Sequence, residues 1–207
     1  MPELKPDSAE TCALLEKLGR GDRQALDQLL ARHRPALRSF VAARLGPDLQ
    51  ARLDASDVVQ EAQMEIARRL KEFLRRRPMP FHLWVRKTAY ERLLNVQRDH
   101  RRRARRSVFR EAPWPERSSM LVAGPILGSA ASPSRLFQAR ELAERVAAAL
   151  TELSETDREI LLMRHAEEFP YDEIACLLDI EPAAARKRYG RALIRLQRIL
   201  TKHGLLE

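Results

Sequence analysis

The chain has 207 residues, a hydrophobic content of 44% and a formal net charge of +9 at pH 7. This length and apolar content suffice for one large or two small folded domains, and the positive charge favours a polyanionic partner. Because the sequence contains no run of 18 apolar residues and no signal-peptide core, no membrane insertion is predicted and the expected location is the cytoplasm.

The first part of the chain is predicted to be helical. A leucine-rich segment ends at Gly19 and Gly21, and Asp22 is a suitable cap for a second segment with apolar residues at helical spacing up to Leu45. Pro35 lies inside this second segment. Since an internal proline removes a backbone hydrogen bond, a break or kink is predicted there.

A third helix is predicted to begin after Asp54 or Ser56. Its apolar residues recur at intervals of three and four and share one face: Val59, Ala62, Ile66, Leu70 and Phe73. Asp57, Gln60 and Glu61 lie away from that face. Acidic residues near a helix N-terminus suit the helix dipole, so the residues alone leave open whether Asp57 and Glu61 are structural or bind a partner.

A basic loop and a long basic helix follow. Prolines 78 and 80 prevent the third helix from continuing past Arg77, and the next helix is predicted to begin at Phe81. Trp84 is expected in the core. Residues 101 to 106 include five arginines, which makes the end of this helix a dense positive block.

The predicted fold class is all-α, with two small helical domains joined by a flexible linker. Residues 107 to 135 contain prolines and glycines that forbid a continuous helix, and this segment is the predicted linker. It separates an N-terminal domain, residues 1 to 106, from a C-terminal domain, residues 136 to 207.

The C-terminal domain is predicted to contain a helix-turn-helix. Residues 169 to 200 read as two helices joined at Asp179–Glu181, with Ile180 buried between them and Pro182 at the first position of the second helix. Residues 186 to 202 contain seven Lys or Arg and no acid, whereas residues 144 to 181 contain eleven acids and three Arg. This segregation of charge favours nucleic-acid binding by the second helix.

Together these segments resemble a bacterial RNA polymerase sigma factor of the extracytoplasmic-function group. Residues 21 to 26 resemble the opening of sigma region two, and residues 57 to 61 its polymerase-binding helix. Residues 81 to 106 resemble the promoter-melting helix, and residues 150 to 196 resemble region four. No single segment decides the resemblance, which depends on their order and spacing.

The resemblance implies a promoter-specificity subunit that binds core RNA polymerase at its large-subunit clamp helices and flap, recognises two promoter elements and helps open the DNA. The polymerase-binding residues it implies are Asp57, Gln60 and Glu61. One of the two promoter elements lies nearer the transcription start site and is called the nearer element. The residues implied for binding it and for melting are Arg76, Arg77, Phe81, Lys87, Arg92, Asn95 and Arg98, with Phe81 lining a pocket for a flipped base. Those implied for the upstream element are Glu181, Ala183, Ala184, Arg186, Lys187, Arg188 and Arg191. An anti-sigma factor or other regulator is a further partner left open.

Three residues depart from the family pattern. Pro170 replaces a helix-capping serine, Asp179 replaces a glycine in the turn, and Glu91 replaces an asparagine that helps read the nearer element. The third change makes the sequence of that element unpredictable from this chain.

Other functions fit the sequence less well. A stand-alone helix-turn-helix regulator would use the C-terminal domain but would leave residues 57 to 61 without a role, and a non-specific RNA or membrane-surface binder would use only residues 101 to 106. No enzyme activity, cofactor or metal site is predicted, because the sequence has no glycine-rich phosphate loop and its five histidines are scattered. Cys12 and Cys176 are expected to be plain thiols.

Overall fold

The computed structural model describes residues 4–45, 49, 53–106, 145–146, 149–150 and 152–206, and within these ranges all regular secondary structure is helical. The predicted all-α class is therefore confirmed. The chain divides into two compact units, Met1–Ala112 and Pro113–Glu207, which are described separately. The predicted linker, residues 107 to 135, lies outside the described residues.

In its described residues, the first unit contains a bundle of four long helices. These are α1 (Ala9–Gly19), α2 (Gln24–Ala42), α3 (Ala55–Arg76) and α4 (Phe81–Arg106). Helix α2 packs against each of the others, and α3 packs along α4. The core between them contains the five apolar residues predicted for α3, all of which are buried.

Helix α2 continues through Pro35, so of the predicted break or kink, the break does not occur. Leu29, on the N-terminal side of the proline, and Leu37, Phe40 and Val41, on its other side, are all buried. Their packing offsets the one backbone hydrogen bond that proline removes. At the start of the helix, the Asp22 Oδ1 accepts a hydrogen bond from the Gln24 amide at 2.9 Å, as expected of a capping residue.

Helix α3 begins with a capping box. The Asp54 side chain accepts from the Ser56 amide at 2.7 Å, and the Asp57 Oδ2 accepts from the Asp54 amide at 3.3 Å. At the other end, Arg77 adopts the left-handed conformation with φ 38°, and its amide donates to the Phe73 carbonyl at 2.7 Å. The helix therefore ends where the prolines predicted.

An aromatic cluster joins α3 to the start of α4. Phe73 stacks on Trp84 with ring centroids 4.4 Å apart, and Phe81 meets the rings of both Phe73 and His33 edge-on at about 5.5 Å and 5.4 Å. Trp84 is only 6% exposed, which confirms its predicted place in the core. Aromatic packing of this kind fixes the register of α4 against α3.

The second unit is built around its C-terminal helix. It contains α5 (Glu155–Leu161), a π-helical turn (Leu162–Ala166), α6 (Tyr171–Leu178) and α7 (Pro182–Lys202), and residues 145, 146, 149 and 150 are also helical. The Ser154 side chain caps α5 through the Asp157 amide. Helix α7 packs against both α5 and α6. In the part of the chain that the structure describes, no helix is long and apolar enough to cross a membrane.

Candidate nucleic-acid interface

The turn between α6 and α7 has the geometry of a helix-turn-helix. Asp179 ends α6 in the left-handed conformation, with φ 56° and ψ 47°, and the Ile180 amide donates to the Ala175 carbonyl at 3.0 Å. Aspartate tolerates this conformation better than most residues, so its side chain replaces glycine without disrupting the turn. Ile180 is half-buried, so it is more exposed than the sequence predicted. Pro182 occupies the first turn of α7, as predicted.

Helix α7 has two distinct faces. Ala185, Ala192, Leu196 and Leu200 form the inner face and are buried. Every predicted upstream-element residue except Arg188 is exposed, and Arg188 is half-buried. Because the small side chain of Ala185 brings the helix close to its own domain, the opposite side of its N-terminal half stands clear of that domain.

The cations of α7 fall into two groups. Arg195 forms an ion pair with Asp157, whose side chain is only 4% exposed, and Lys202 pairs with Glu152 at 3.1 Å. Nearer the N-terminus, Arg186, Lys187 and Arg188 have no acidic partner within 4 Å among the described residues. Three neighbouring cations without an acidic partner therefore lie at the end of α7 that follows the turn, and the exposed Arg191 and Arg198 further along also have none within 4 Å among the described residues.

Side chains of neighbouring elements support this end of α7. The Arg186 guanidinium lies 5.7 Å from the centre of the Tyr171 ring, which also receives Arg164 at 5.0 Å. The Tyr189 hydroxyl and the His165 Nε2 are hydrogen-bonded at 2.8 Å. Burial lowers the pKa of His165 below its ordinary value, and nearby Arg164 acts in the same direction. His165 is therefore neutral at pH 7 and adds no charge to this surface.

Leu193 does not contribute to the buried stripe as the sequence suggested. It is 37% exposed, and its neighbour Ile194 is 52% exposed. The two residues lie more than one turn beyond Arg188 and form an exposed apolar surface. Helical spacing had grouped Leu193, but not Ile194, with the apolar stripe of Leu196, Ile199 and Leu200. Their adjacency is unusual for large apolar residues on an otherwise charged helix.

In the first unit, α3 presents the predicted polymerase-binding residues on one face. Asp57 and Gln60 are exposed and Glu61 is half-exposed. Met64 follows on the same face, one turn beyond Gln60 and Glu61, and is 60% exposed. Sequence reasoning missed Met64, although its spacing of i, i+3, i+4 and i+7 with Asp57, Gln60 and Glu61 was a usable signal. Asp57 also has a structural role, because it belongs to the capping box.

One ion pair connects the predicted polymerase-binding and DNA-binding residues. The Glu61 carboxylate accepts a hydrogen bond from the Arg92 guanidinium across the α3–α4 contact. Both side chains are 40% exposed. The structure thus brings together Glu61, which was predicted to bind the polymerase, and Arg92, which was predicted to bind DNA.

The outer face of α4 carries the remaining residues predicted for the nearer element. Asn95 and Arg98 are exposed and hydrogen-bonded to each other, and Lys87 is half-exposed two turns earlier. Glu91 lies between them and is 3.8 Å from Arg69 of α3. Its negative charge is therefore partly neutralised. At the end of α3 and the start of the loop, Arg76 and Arg77 are exposed, with Arg76 paired to Glu72 at 3.1 Å.

The structure places Phe81 in the core of the first unit. Its side chain is 0% exposed and is enclosed by the aromatic cluster, so it has no surface to offer a flipped base. The large apolar ring at the first position of an amphipathic helix is buried because α3 covers it.

His33, on α2, lies against Phe81 and is a source of acid sensitivity. Burial lowers the pKa of His33 to about 4, and the charges of His82, Arg86 and Arg32 act in the same direction while Asp7 opposes them. Its Nε2 is buried without a hydrogen-bond partner among the described residues. The folded protein therefore holds this ring neutral at pH 5 to 6, where the unfolded chain protonates it.

We expect the free energy of unfolding to fall as the pH drops from about 6.5 towards 4, because the unfolded state binds a proton that the folded state excludes. Urea unfolding at pH 7 and pH 5 should show a smaller difference for His33→Leu than for the wild type. If the unfolding free energies of the two proteins depended equally on pH, the effect could not be due to His33, since the other histidines are the same in both.

A model of sigma-70 region 4 matches residues 143–196, which include the helix-turn-helix. In sequence, the chain is similar to the ECF RNA polymerase sigma-E factor of Escherichia coli strain K12, with 26% identity over 180 residues that cover 86% of this chain and 88% of the relative. It is also similar to the RNA polymerase sigma factor CnrH of Cupriavidus metallidurans, with 26% identity over 197 residues, or 95% of this chain and 97% of the relative.

The chain therefore contains a segment that matches sigma-70 region 4 and is similar over most of its length to RNA polymerase sigma factors. Two solved structures share its fold. CnrH in complex with the cytosolic domain of CnrY has a TM-score of 0.58 at 22% identity and covers 94% of this chain and 99% of its own. RpoE in complex with the anti-sigma factor NepR from Bartonella quintana has a TM-score of 0.56 at 21% identity and covers 84% and 96%. These similarities support a promoter-specificity subunit of RNA polymerase rather than a stand-alone regulator.

Proposed function

We propose that this chain is a sigma factor that divides its work among three helices. Helix α3 binds core polymerase, the basic loop and α4 hold the melted strand of the nearer promoter element, and the N-terminal half of α7 enters the major groove of the upstream element. The observation that supports this division most directly is the outer face of α7, where Arg186, Lys187 and Arg188 lack acidic partners among the described residues.

At the upstream element, α7 can contribute both anchoring and base contacts. Arg186 and Lys187 lie in the first two turns of the helix, where side chains of a recognition helix meet base edges or nearby phosphates. Exposed Ala183 and Ala184 allow close approach and can contact thymine methyl groups, but they cannot form side-chain hydrogen bonds. Arg188 and Arg191 lie further along the helix, and in this proposal they contact phosphates.

At the nearer element, the protein supplies a positive surface and no covalent chemistry. Opening the duplex costs a few kcal/mol per unstacked base, and cations that track the backbone of the melted strand offset this cost. Arg76, Arg77, Lys87, Asn95 and Arg98 provide such a surface along one side of the loop and α4. The proposed mechanism needs neither a cofactor nor a metal ion, and it places the protein in the cytoplasm with the chromosome.

The α3 face, defined as Asp57, Gln60, Glu61 and Met64, is proposed to bind the clamp helices of the polymerase large subunit. Met64 adds an exposed apolar side chain to a polar ring, an arrangement common at the centre of protein interfaces. In the second unit, Leu193 and Ile194 offer an apolar surface for the polymerase flap. An anti-sigma regulator, like the partner in the RpoE complex with NepR, is proposed to compete for these same surfaces.

We expect Arg186→Ala and Lys187→Ala each to weaken binding of the holoenzyme to its upstream element by roughly 1–3 kcal/mol if the residue reads a base. Arg198→Ala is the matched control, because Arg198 is also exposed but lies about 18 Å further along the helix. Footprinting on a promoter selected from random DNA measures the effect. Equal losses for all three variants would indicate a diffuse electrostatic contact and contradict the proposed orientation of α7.

The proposed function as a whole is tested by run-off transcription. Core polymerase supplemented with the purified chain should initiate at discrete sites in a promoter library, and core polymerase alone should not. A chain that binds DNA but neither associates with core polymerase nor directs initiation would contradict it.

A further inference from the structure

The first turn of α4 is held by a carboxylate from the other end of the first unit. One carboxylate oxygen of Asp7 accepts a hydrogen bond from the Phe81 amide at 2.6 Å. The other accepts from the His82 amide at 2.9 Å and lies 2.9 Å from the His82 Nδ1. The Asp7 side chain is only 10% exposed, so these contacts are shielded from water.

Helix α4 has no N-cap side chain of its own to accept these hydrogen bonds. Pro80 precedes the helix and has no side-chain acceptor, whereas its carbonyl receives the Leu83 and Trp84 amides at 3.2 Å and 3.0 Å. The Phe81 and His82 amides are the earlier donors of the turn, and a buried donor without an acceptor destabilises a helix start. Asp7 thus replaces the local N-cap that proline cannot provide.

Asp7 is itself fixed in place. The next residue, Ser8, caps α1 by accepting from the Thr11 amide at 3.3 Å, and the Arg32 side chain of α2 reaches the Ser8 hydroxyl at 3.5 Å. Arg32 also pairs with Glu10 of α1. The segment before α1 is therefore tied to both α1 and α2, and Asp7 connects that pair of helices to the start of α4.

The basic loop, residues 77 to 80, is consequently held at both ends. The bond from the Arg77 amide to the Phe73 carbonyl fixes its first residue to α3, and Asp7 fixes the residue that follows Pro80. We infer that Asp7 is a positioning residue for promoter opening, which sets the loop and the first turn of α4 in the arrangement that receives the melted strand. A surface arranged before binding loses less entropy when the strand arrives. This inference rests on the proposed role of the loop and α4.

The test uses holoenzyme assembled from core polymerase and the full chain. The probe is a fluorescein-labelled single-stranded oligonucleotide with the non-template sequence of the nearer element from a promoter selected by the wild type. We expect Asp7→Ala to bind this probe about tenfold to a hundredfold more weakly, the range for a misplaced preorganised contact. Its affinity for core polymerase should stay within about twofold of the wild type, and permanganate reactivity of the promoter should fall.

Asp22→Ala is the matched control, because Asp22 also caps a helix of the first unit through a backbone amide. It should lower stability without a selective loss of probe binding. Pro80→Ser supplies a local cap, and the double variant Asp7→Ala, Pro80→Ser should recover probe binding. If Asp7→Ala does not fold, the double variant provides the same test.

Three results would overturn the inference. They are a parallel loss of core and probe affinity in Asp7→Ala, an equal loss of probe affinity in Asp22→Ala, and a folded double variant that binds core but not the probe. Failure of the wild-type holoenzyme to bind the probe would instead contradict the proposed function of the loop and α4.

Discussion

Replacing Phe81 by alanine is expected to destabilise the first unit by about 3–5 kcal/mol, the usual cost of removing a fully buried aromatic ring. The ring is 0% exposed and touches Phe73, Trp84 and His33, so alanine leaves a cavity between α2, α3 and α4. Thermal unfolding followed by circular dichroism should show a melting temperature lower by more than about 10 °C for this unit.

Met64→Ala is the control for this variant, because Met64 lies in the same unit and is 60% exposed. Its effect on stability should stay within about 0.5 kcal/mol. The base-pocket role implied by the family resemblance predicts the opposite pattern for Phe81→Ala, with unchanged stability and defective promoter opening. A folded Phe81→Ala protein with a normal melting temperature and no permanganate-reactive bubble would therefore restore that role.

Reversing the charge of Glu61 is expected to weaken association with core polymerase by about 2 kcal/mol or more, the effect of a residue at the centre of an interface. This corresponds to roughly a thirtyfold change in affinity. Glu61 lies beside Gln60 and one turn before Met64 on the α3 face, where a lysine would oppose the charge that the resemblance assigns to the contact. Titration of labelled chain with core polymerase, without DNA, measures the loss.

Two further variants separate the polymerase contact from the internal ion pair. Glu61→Arg combined with Arg92→Glu restores the pair in reverse and should fold normally, yet it should remain defective in core binding. Glu16→Lys makes the same charge reversal at an exposed position on α1 and should bind core normally. Recovery of core affinity in the reversed pair would mean that Glu61 acts only by holding α4 against α3.

The helices and their principal ends could be predicted because their determinants are local. The spacing of Val59, Ala62 and Ile66 gives α3 its buried face, the two prolines before Phe81 stop that helix, and Ser154 caps α5. The exposed face of α7 followed from the same periodicity, because cations and apolar residues alternate with the period of the helix.

Burial of individual residues was less predictable. Periodicity placed Leu193 on the apolar stripe of α7, yet it is 37% exposed. The aromatic Phe81 was assigned to DNA, yet α2 and α3 enclose it. A sequence pattern defines which residues share a face, whereas the width of the buried part of that face depends on the elements packed against it.

The sequence by itself determined the all-α class, the helix-turn-helix, the segregation of positive charge into α7 and the resemblance to ECF sigma factors, since each depends on residue type and short-range spacing. Only the tertiary structure decided that Phe81 lies in the core, that Glu61 pairs with Arg92 and that Asp7 caps α4. Asp7 and Phe81 are 74 residues apart. A contact over such a separation forms when the intervening helices pack, and no local pattern specifies that packing.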